Sequence, residues 1–281
     1  MLFLLALALA TKALAAIALT TKSTPPIHQL SHLPGPVLSS VDIFPLFYGT
    51  VPYKNHLFDF YRSITKSSWW KVLEQYGLQT GKLMSGMHTM HPRTTATALN
   101  DMIDIQPLLF NLIKSGKLQP SPNTYYPIHL APGISVSWYN AVSCKNFGGY
   151  HGTLNLTSLS IPGVSYVAYG VIPDCGVTPR PQDFATFTAS HELAEAALNP
   201  LAGFAIDLVE KGGPSKTPQA AQFLSWFDLQ SQNFEGEVAD LCEGVPGMVP
   251  YGNTTVGACT FTVAKLWSNR DNGCVLNGAG H

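Results

Sequence analysis

Apolar and polar positions along this chain follow two spacings, and the switches between them mark its elements. Val37 to Tyr48 is rich in β-branched and aromatic residues and stops at Gly49, which predicts a first strand. Leu57 to Ile64 and Ser68 to Tyr76 carry apolar residues at helical spacing, with Trp69, Trp70, Val72 and Leu73 as anchors. Met84 to Met90 alternates. Thr94 to Lys117 reads as helix, broken before Pro107, where a new helix can start. Tyr125–Leu130 and Ile134–Trp138 read as strands joined at the turn Ala131-Pro132-Gly133. Val164 to Ile172 has the clearest strand pattern.

Next comes a helix expected over 184–198, with Asp183 as N-cap and Asn199-Pro200 as its stop. Its apolar stripe is Phe184, Phe187, His191, Ala194 and Leu198. Short runs follow at Phe223–Asp228, Gly236–Cys242 and Phe261–Trp267. This order predicts a mixed α/β (α+β) fold, a single domain over 37–281 with helices packed on a mixed sheet. There is no internal repeat.

The 184–198 helix carries the chemistry. His191 and Glu195, four apart, stand one turn above each other on or beside the face that should be buried, and Glu192 points about 100° away. A buried imidazole and carboxylate need a partner. H-E-x-x-H metalloproteases use this spacing for two metal ligands, with the adjoining Glu as general base. Here Glu195 takes the second ligand position, so the fold expected around this helix is metalloprotease-like. With nine His in the chain, H-E-x-x-E arises by chance about 0.006 times, so composition alone does not explain it. A plain buried His–Glu pair, or exposed acids on an Ala-rich helix, is the competing reading.

Charge sharpens the picture. Only 12% of residues are charged against 46% hydrophobic, which fits an ordered globule. The net charge of −1 leaves no footprint for nucleic acid. Yet residues 191–243 hold nine acids and two lysines, a formal −7 against +6 elsewhere. Carboxylates gathered around a His-bearing helix point to a cation. Glu237 and Asp240, three apart, are the candidates for a third ligand, with Trp226-Phe227-Asp228 as a further source. His151, in Phe147-Gly148-Gly149-Tyr150-His151-Gly152, is a candidate proton donor lining the site. His88, His91 and His129 are assigned structural or surface roles. No G-x-S-x-G elbow and no glycine-rich phosphate loop is present.

Residues 2–10 form a short apolar run, followed by Ala13-Leu14-Ala15, so 1–20 reads as a signal peptide and 21–36 as a flexible lead-in. The run is too short for a stable membrane span. Asn155-Leu156-Thr157 and Asn253-Thr254-Thr255 are glycosylation acceptors that agree with secretion. Five cysteines in a secreted chain should mostly pair. Cys144–Cys175 and Cys242–Cys274 are the expected bridges, with Cys259 left over or exchanging roles with Cys274. No CxxC supports a cysteine zinc cluster.

Several segments together resemble the exordium-like, phosphate-induced protein family: Tyr125–Ser137, Gly149-Tyr150-His151-Gly152, Val167–Tyr169 with Pro173-Asp174-Cys175, and Ser190–Ala196. Bacterial and fungal members share an H-E-x-x-E-x-x-T-D-P helix, a W-Y-D element, an E-I-x-D-x-C element and a final W-S-N. These fall here on Trp226-Phe227-Asp228, Glu237-Val238-Ala239-Asp240-Leu241-Cys242 and Trp267-Ser268-Asn269, the last near Cys274 and placed to cover the site. The chain departs at Leu198-Asn199-Pro200, where an amide replaces a carboxylate, and carries a long insertion between Pro200 and Trp226.

The expected function is a secreted, zincin-like peptidase with zinc on His191, Glu195 and either Asp240 or Glu237, and Glu192 as base. Calcium or manganese are the alternative cations, because one His with two carboxylates is an oxygen-rich set. The expected partner is an extracellular peptide or cell-wall substrate, the peptide pairing along an edge offered by Val164–Ile172. The other reading is a non-catalytic extracellular protein braced by a structural cation.

Overall fold

A mixed sheet and one deeply buried helix position everything that follows. The structure, a computed structural model, describes residues 28–84, 88–90, 96–177, 179–210, 218–231 and 235–278. The predicted signal peptide, His91 and some of the insertion after Pro200 lie outside them.

In chain order, β1 (Ser31–His32) comes first. The predicted first strand is two pieces, β2 (Asp42–Ile43) and β3 (Leu46–Tyr48), split at Pro45, which has no N–H to give a ladder. Helix α1 (Lys54–Ser63) and the short α2 (Lys71–Glu74) follow, then β4 (Lys82–Leu83), β5 (His88–Met90) and β6 (Ala98–Asn100). A π-helical turn over Asp101–Ile105 leads into α3 (Gln106–Lys114). Next are β7 (Thr124–Leu130), β8 (Ser135–Trp138), β9 (Ala141–Val142), β10 (Tyr150–Asn155) and β11 (Tyr166–Ile172). Then come the central helix α4 (Pro181–Leu198), α5 (Ala202–Glu210), α6 (Pro218–Ala221), β12 (Trp226–Phe227) and α7 (Asp240–Glu243). Two hairpins end the chain, β13 (Tyr251–Val256) with β14 (Cys259–Ala264), and β15 (Leu266–Ser268) with β16 (Gly273–Val275).

The main sheet runs β10-β11-β7-β2-β4, with β3 also beside β7 and β5 beside β3. Every pairing is parallel except β10 on β11, so the fold is mixed α+β, as expected. Alternation sorts the two faces. Tyr125, Ala168 and Ile172 point into the core around α1 and α4, whereas Tyr126, Ile128, Val167, Tyr169 and Val171 point into a second core with α3 and β8.

Two expectations are corrected. The stretch 94–117 is not one broken helix: Ala98–Asn100 pairs with β8, and Asn100 then accepts the N–H groups of Met102 and Ile103, so that helical structure begins only at Asp101. The two strands expected either side of Ala131-Pro132-Gly133 are present as β7 and β8, and β8 leaves for a separate sheet with β6 and β9. β11 is not an edge, since β10 and β7 occupy its two sides, and the sheet ends on that side at the largely buried β10.

Helix α4 also differs from the pattern. It starts at Pro181, because proline is pre-set for a first helical position, and Asp183 instead pairs with Arg180 Nε at 2.9 Å. Asn199 caps its end at φ −131°, not in the left-handed region. The helix buries more than a stripe. Ala189, Ala194, Ala196 and Ala197 are fully enclosed, because strands of the main sheet pack on it and β14 lies along it, Ala264 N–H donating to Ser190 Oγ at 2.8 Å.

Cys144–Cys175 and Cys242–Cys274 are bridged, and Cys259 is free. Among the described residues no helix is long and apolar enough to cross a membrane.

His129, on β7, shows the cost of enclosing a titratable group. Its ring stacks on Phe47 and its Nε2 hydrogen-bonds with the Tyr61 hydroxyl at 2.9 Å. Burial pushes its pKa down to about 3. A depressed histidine leaves stability intact above the ordinary value near 6.5 and erodes it as pH falls toward 3, because the unfolded chain takes up the proton first. Wild type should lose about 2 kcal/mol through this group between pH 7 and pH 5. In His129→Gln, which keeps an acceptor for Tyr61, urea unfolding across that range should show a flatter pH slope. An unchanged slope would reject the assignment.

Candidate metal centre

Glu195 sits at the middle of a knot of ionisable side chains gathered from three places: α4, the start of β10 and the turn into α7. Its Oε1 is taken by backbone, accepting from Ala239 N at 3.3 Å and Asp240 N at 3.2 Å. Its Oε2 is turned toward the imidazoles, 3.1 Å from His191 Nε2 and 3.7 Å from His151 Nδ1.

His191 is the best-held member. Nε2 faces Glu195 Oε2 and, at 3.2 Å, Asp240 Oδ1, while Nδ1 lies 3.0 Å from Glu243 Oε1. Tetrahedral ligands at zinc-like bond lengths stand about 3.3 Å from one another, and these separations are close to that. His191, Glu195 and Asp240 form a group that could hold a metal ion. Glu243 at the far nitrogen is where a carboxylate fixes the tautomer of a ligating histidine. Sequence reading did not single it out; its position three residues past Asp240, on the same short helix, was the available signal.

His151, Glu192 and Glu195 form a second such group, sharing Glu195. His151 Nδ1 is 3.4 Å from Glu192 Oε2, and Nε2 is 3.6 Å from Glu237 Oε1. Glu237 therefore stands behind His151 and outside the His191 group; of the two candidate third ligands, Asp240 is the one placed there. Asp228 is placed elsewhere: its carboxylate pairs with His28 Nδ1 at 2.7 Å and accepts from Gln230 N. Trp267-Ser268-Asn269 lies a layer back, Asn269 exchanging hydrogen bonds with the backbone of Leu30 and accepting from Trp267 Nε1. None of the three residues lines the cleft; Trp267 packs against the ring of His28, which does.

The electrostatics are those of crowded, buried acids. Burial raises Glu195 to about 8, with Asp240 adding to it against the pull of His191. Burial likewise raises Glu237 to about 7, against the pull of His151. Burial alone would lower both histidines, but the carboxylates win. His151 rises to about 9, chiefly through Glu237, and His191 goes well above its ordinary value, chiefly through Glu195. Such a knot of negative charge is an electrostatic match for a cation.

These groups line a cleft of about 990 Å³, with Trp138, Phe184 and Phe187 on its apolar wall. Gly149 lets β10 approach α4: a Cβ there would fall 2.5 Å from Thr188 Cγ2 and 2.9 Å from Glu192 Oε1. Helix α5 closes the strand farther along, where Thr153 Oγ1 donates to Pro200 O and accepts from Gly203 N. The bridges flank the cleft: Cys144–Cys175 ties the loop before β10 to the one after β11, and Cys242–Cys274 ties α7 to β16.

Comparison of the chain with protein-family models, with curated proteins and with solved structures gives no match.

Asn199 holds this arrangement with its whole side chain. Its Nδ2 donates to Glu237 Oε1 at 2.6 Å and to Trp226 O at 3.0 Å; its Oδ1 accepts from Ser225 N and Trp226 N. Asn199→Asp removes both donors and sets a second carboxylate against Glu237. Urea unfolding should report a loss of about 2–4 kcal/mol at neutral pH. A change below about 1 kcal/mol would mean that the four bonds matter little.

Proposed function

We propose that this protein is an extracellular metal-dependent hydrolase of peptidase type, with zinc carried by His191, Glu195 and Asp240. The observation that supports this most directly is the setting of His191. One nitrogen faces two carboxylates at ligand–ligand spacing, and the other is held by Glu243, beside Glu192 in an open cleft. Imidazole with carboxylates is a donor set zinc accepts, and manganese is its nearest rival.

When bound, the metal supplies Lewis acidity and lowers the pKa of a coordinated water. Glu192, in the same cleft and one residue from His191 on α4, is the group that accepts the water's proton. His151, held between Glu192 and Glu237, donates a proton to the leaving group and steadies the negative charge that develops beside it. Asn199 and Gly149 are positioning residues: the first steers Glu237, the second makes room for Glu192.

The substrate class is an extended peptide or a cell-wall polymer. A peptide would meet Gly148–His151, which lead into β10 and line the cleft, and would be stopped at Thr153 by α5. The two disulfides suit an oxidising, extracellular setting. The resemblance to exordium-like proteins accords with this, since the Ser190–Ala196 and Glu237–Cys242 segments that carry it converge on the metal centre.

Elemental analysis of the purified protein, after loosely held ions are removed, tests the reading. About one zinc per chain is expected, lost in His191→Ala and kept in Glu192→Gln. Glu192→Gln should also lower hydrolysis of a denatured-protein substrate about 10²–10⁴-fold. Calcium, or no metal, in wild type would replace the hydrolase with a structural cation site.

A further inference from the structure

Two cleft-lining residues each bury a polar atom with no hydrogen-bond partner: Thr188 Oγ1, and His151 Nε2, the nitrogen turned toward Glu237. Both residues are more than nine-tenths buried. The Thr188 hydroxyl, one turn before Glu192 on α4, asks for an occupant on that side of the cleft. Around His151 Nδ1 the oxygens of Glu192 and Glu195 stand at 3.4 and 3.7 Å. That is longer than the roughly 2.7–2.9 Å typical of a direct charged hydrogen bond, and it is at or a little above the roughly 3.3 Å that ligands keep across a cation of zinc size. His151, Glu192 and Glu195 together meet the requirement for a metal-holding group, and they share Glu195 Oε2 with the His191 group.

We propose that His151, Glu192 and Glu195 form a second, weaker site for a divalent transition-metal ion, whose filling turns Glu192 from base into ligand, so that excess zinc inhibits the enzyme. The inhibition, though not the binding, rests on the function proposed above. The weakness follows from geometry. Glu195 is already committed to the first ion, two cations bridged by one carboxylate repel, and the ligand edges around His151 are longer than those around His191. The far nitrogen of His151 also lacks a close carboxylate like Glu243: Glu237 is 3.6 Å away and engaged by Asn199. A hard cation such as calcium is disfavoured by the imidazole.

Zn²⁺ titrated calorimetrically into the chelator-stripped full chain tests the binding. Two equivalents are expected, the second at least tenfold weaker than the first. His151→Gln should keep the tight equivalent and lose the weak one, and His191→Ala should lose the tight one. Glu192→Gln, in case His151→Gln fails to fold, should weaken the second site at least tenfold. Activity on a denatured-protein substrate should then fall tenfold or more as free Zn²⁺ passes the second binding constant. A single equivalent in wild type, lost in His191→Ala, would overturn the second site and leave the proposed function standing. Two equivalents with activity rising on the second would overturn the inhibitory role. Two equivalents with no hydrolysis under any loading would instead sink the hydrolase reading and keep the two sites.

Discussion

The structure depends on a balance of charge at Glu195. Five carboxylates, from Glu192, Glu195, Glu237, Asp240 and Glu243, surround two imidazoles, and most of this cluster is withheld from water. Unpaired, such charges are too costly to enclose. The chain lowers that cost in several ways. Backbone amides at the start of α7 bind one oxygen of Glu195, Asn199 binds Glu237, and the two histidines are driven toward their charged forms. Even so, Glu195 and Glu237 are pushed toward neutrality. A divalent cation answers the same imbalance with the groups already in place.

Holding the acids together requires α4 to be enclosed, and that explains its composition. A helix with only one buried stripe would leave its other face to water. Here alanines let the sheet approach, while β14 and the Ser190 contact lie along the helix. The ligands on α4 are therefore fixed by packing along much of its circumference. Those on α7 sit on a single helical turn, which the Cys242–Cys274 bridge ties to β16. The one open side is the cleft, between the start of β10 and the α7 turn.

The sequence by itself determined a good deal. Period-two and period-three-to-four spacing located β7, β11, α1 and α4 and the mixed α+β class, because those patterns reflect which side of an element meets the core. The i, i+4 spacing of His191 and Glu195 placed them on one face of α4 from helix geometry alone. The concentration of acids over 191–243 announced their crowding before any contact was known. Tertiary structure decided the rest. Which strand lies at the sheet's edge depends on pairing between residues far apart, so β11 looked available until β10 covered it. Asp240 rather than Glu237 faces His191, and Glu237 instead backs His151, because the turn into α7 rotates two acids three residues apart toward different histidines. Glu243 had only its spacing from Asp240, and Asn199 only its place at the helix stop. Their roles arise only where α4, β10, β12 and α7 meet, and local spacing contains no information about that meeting.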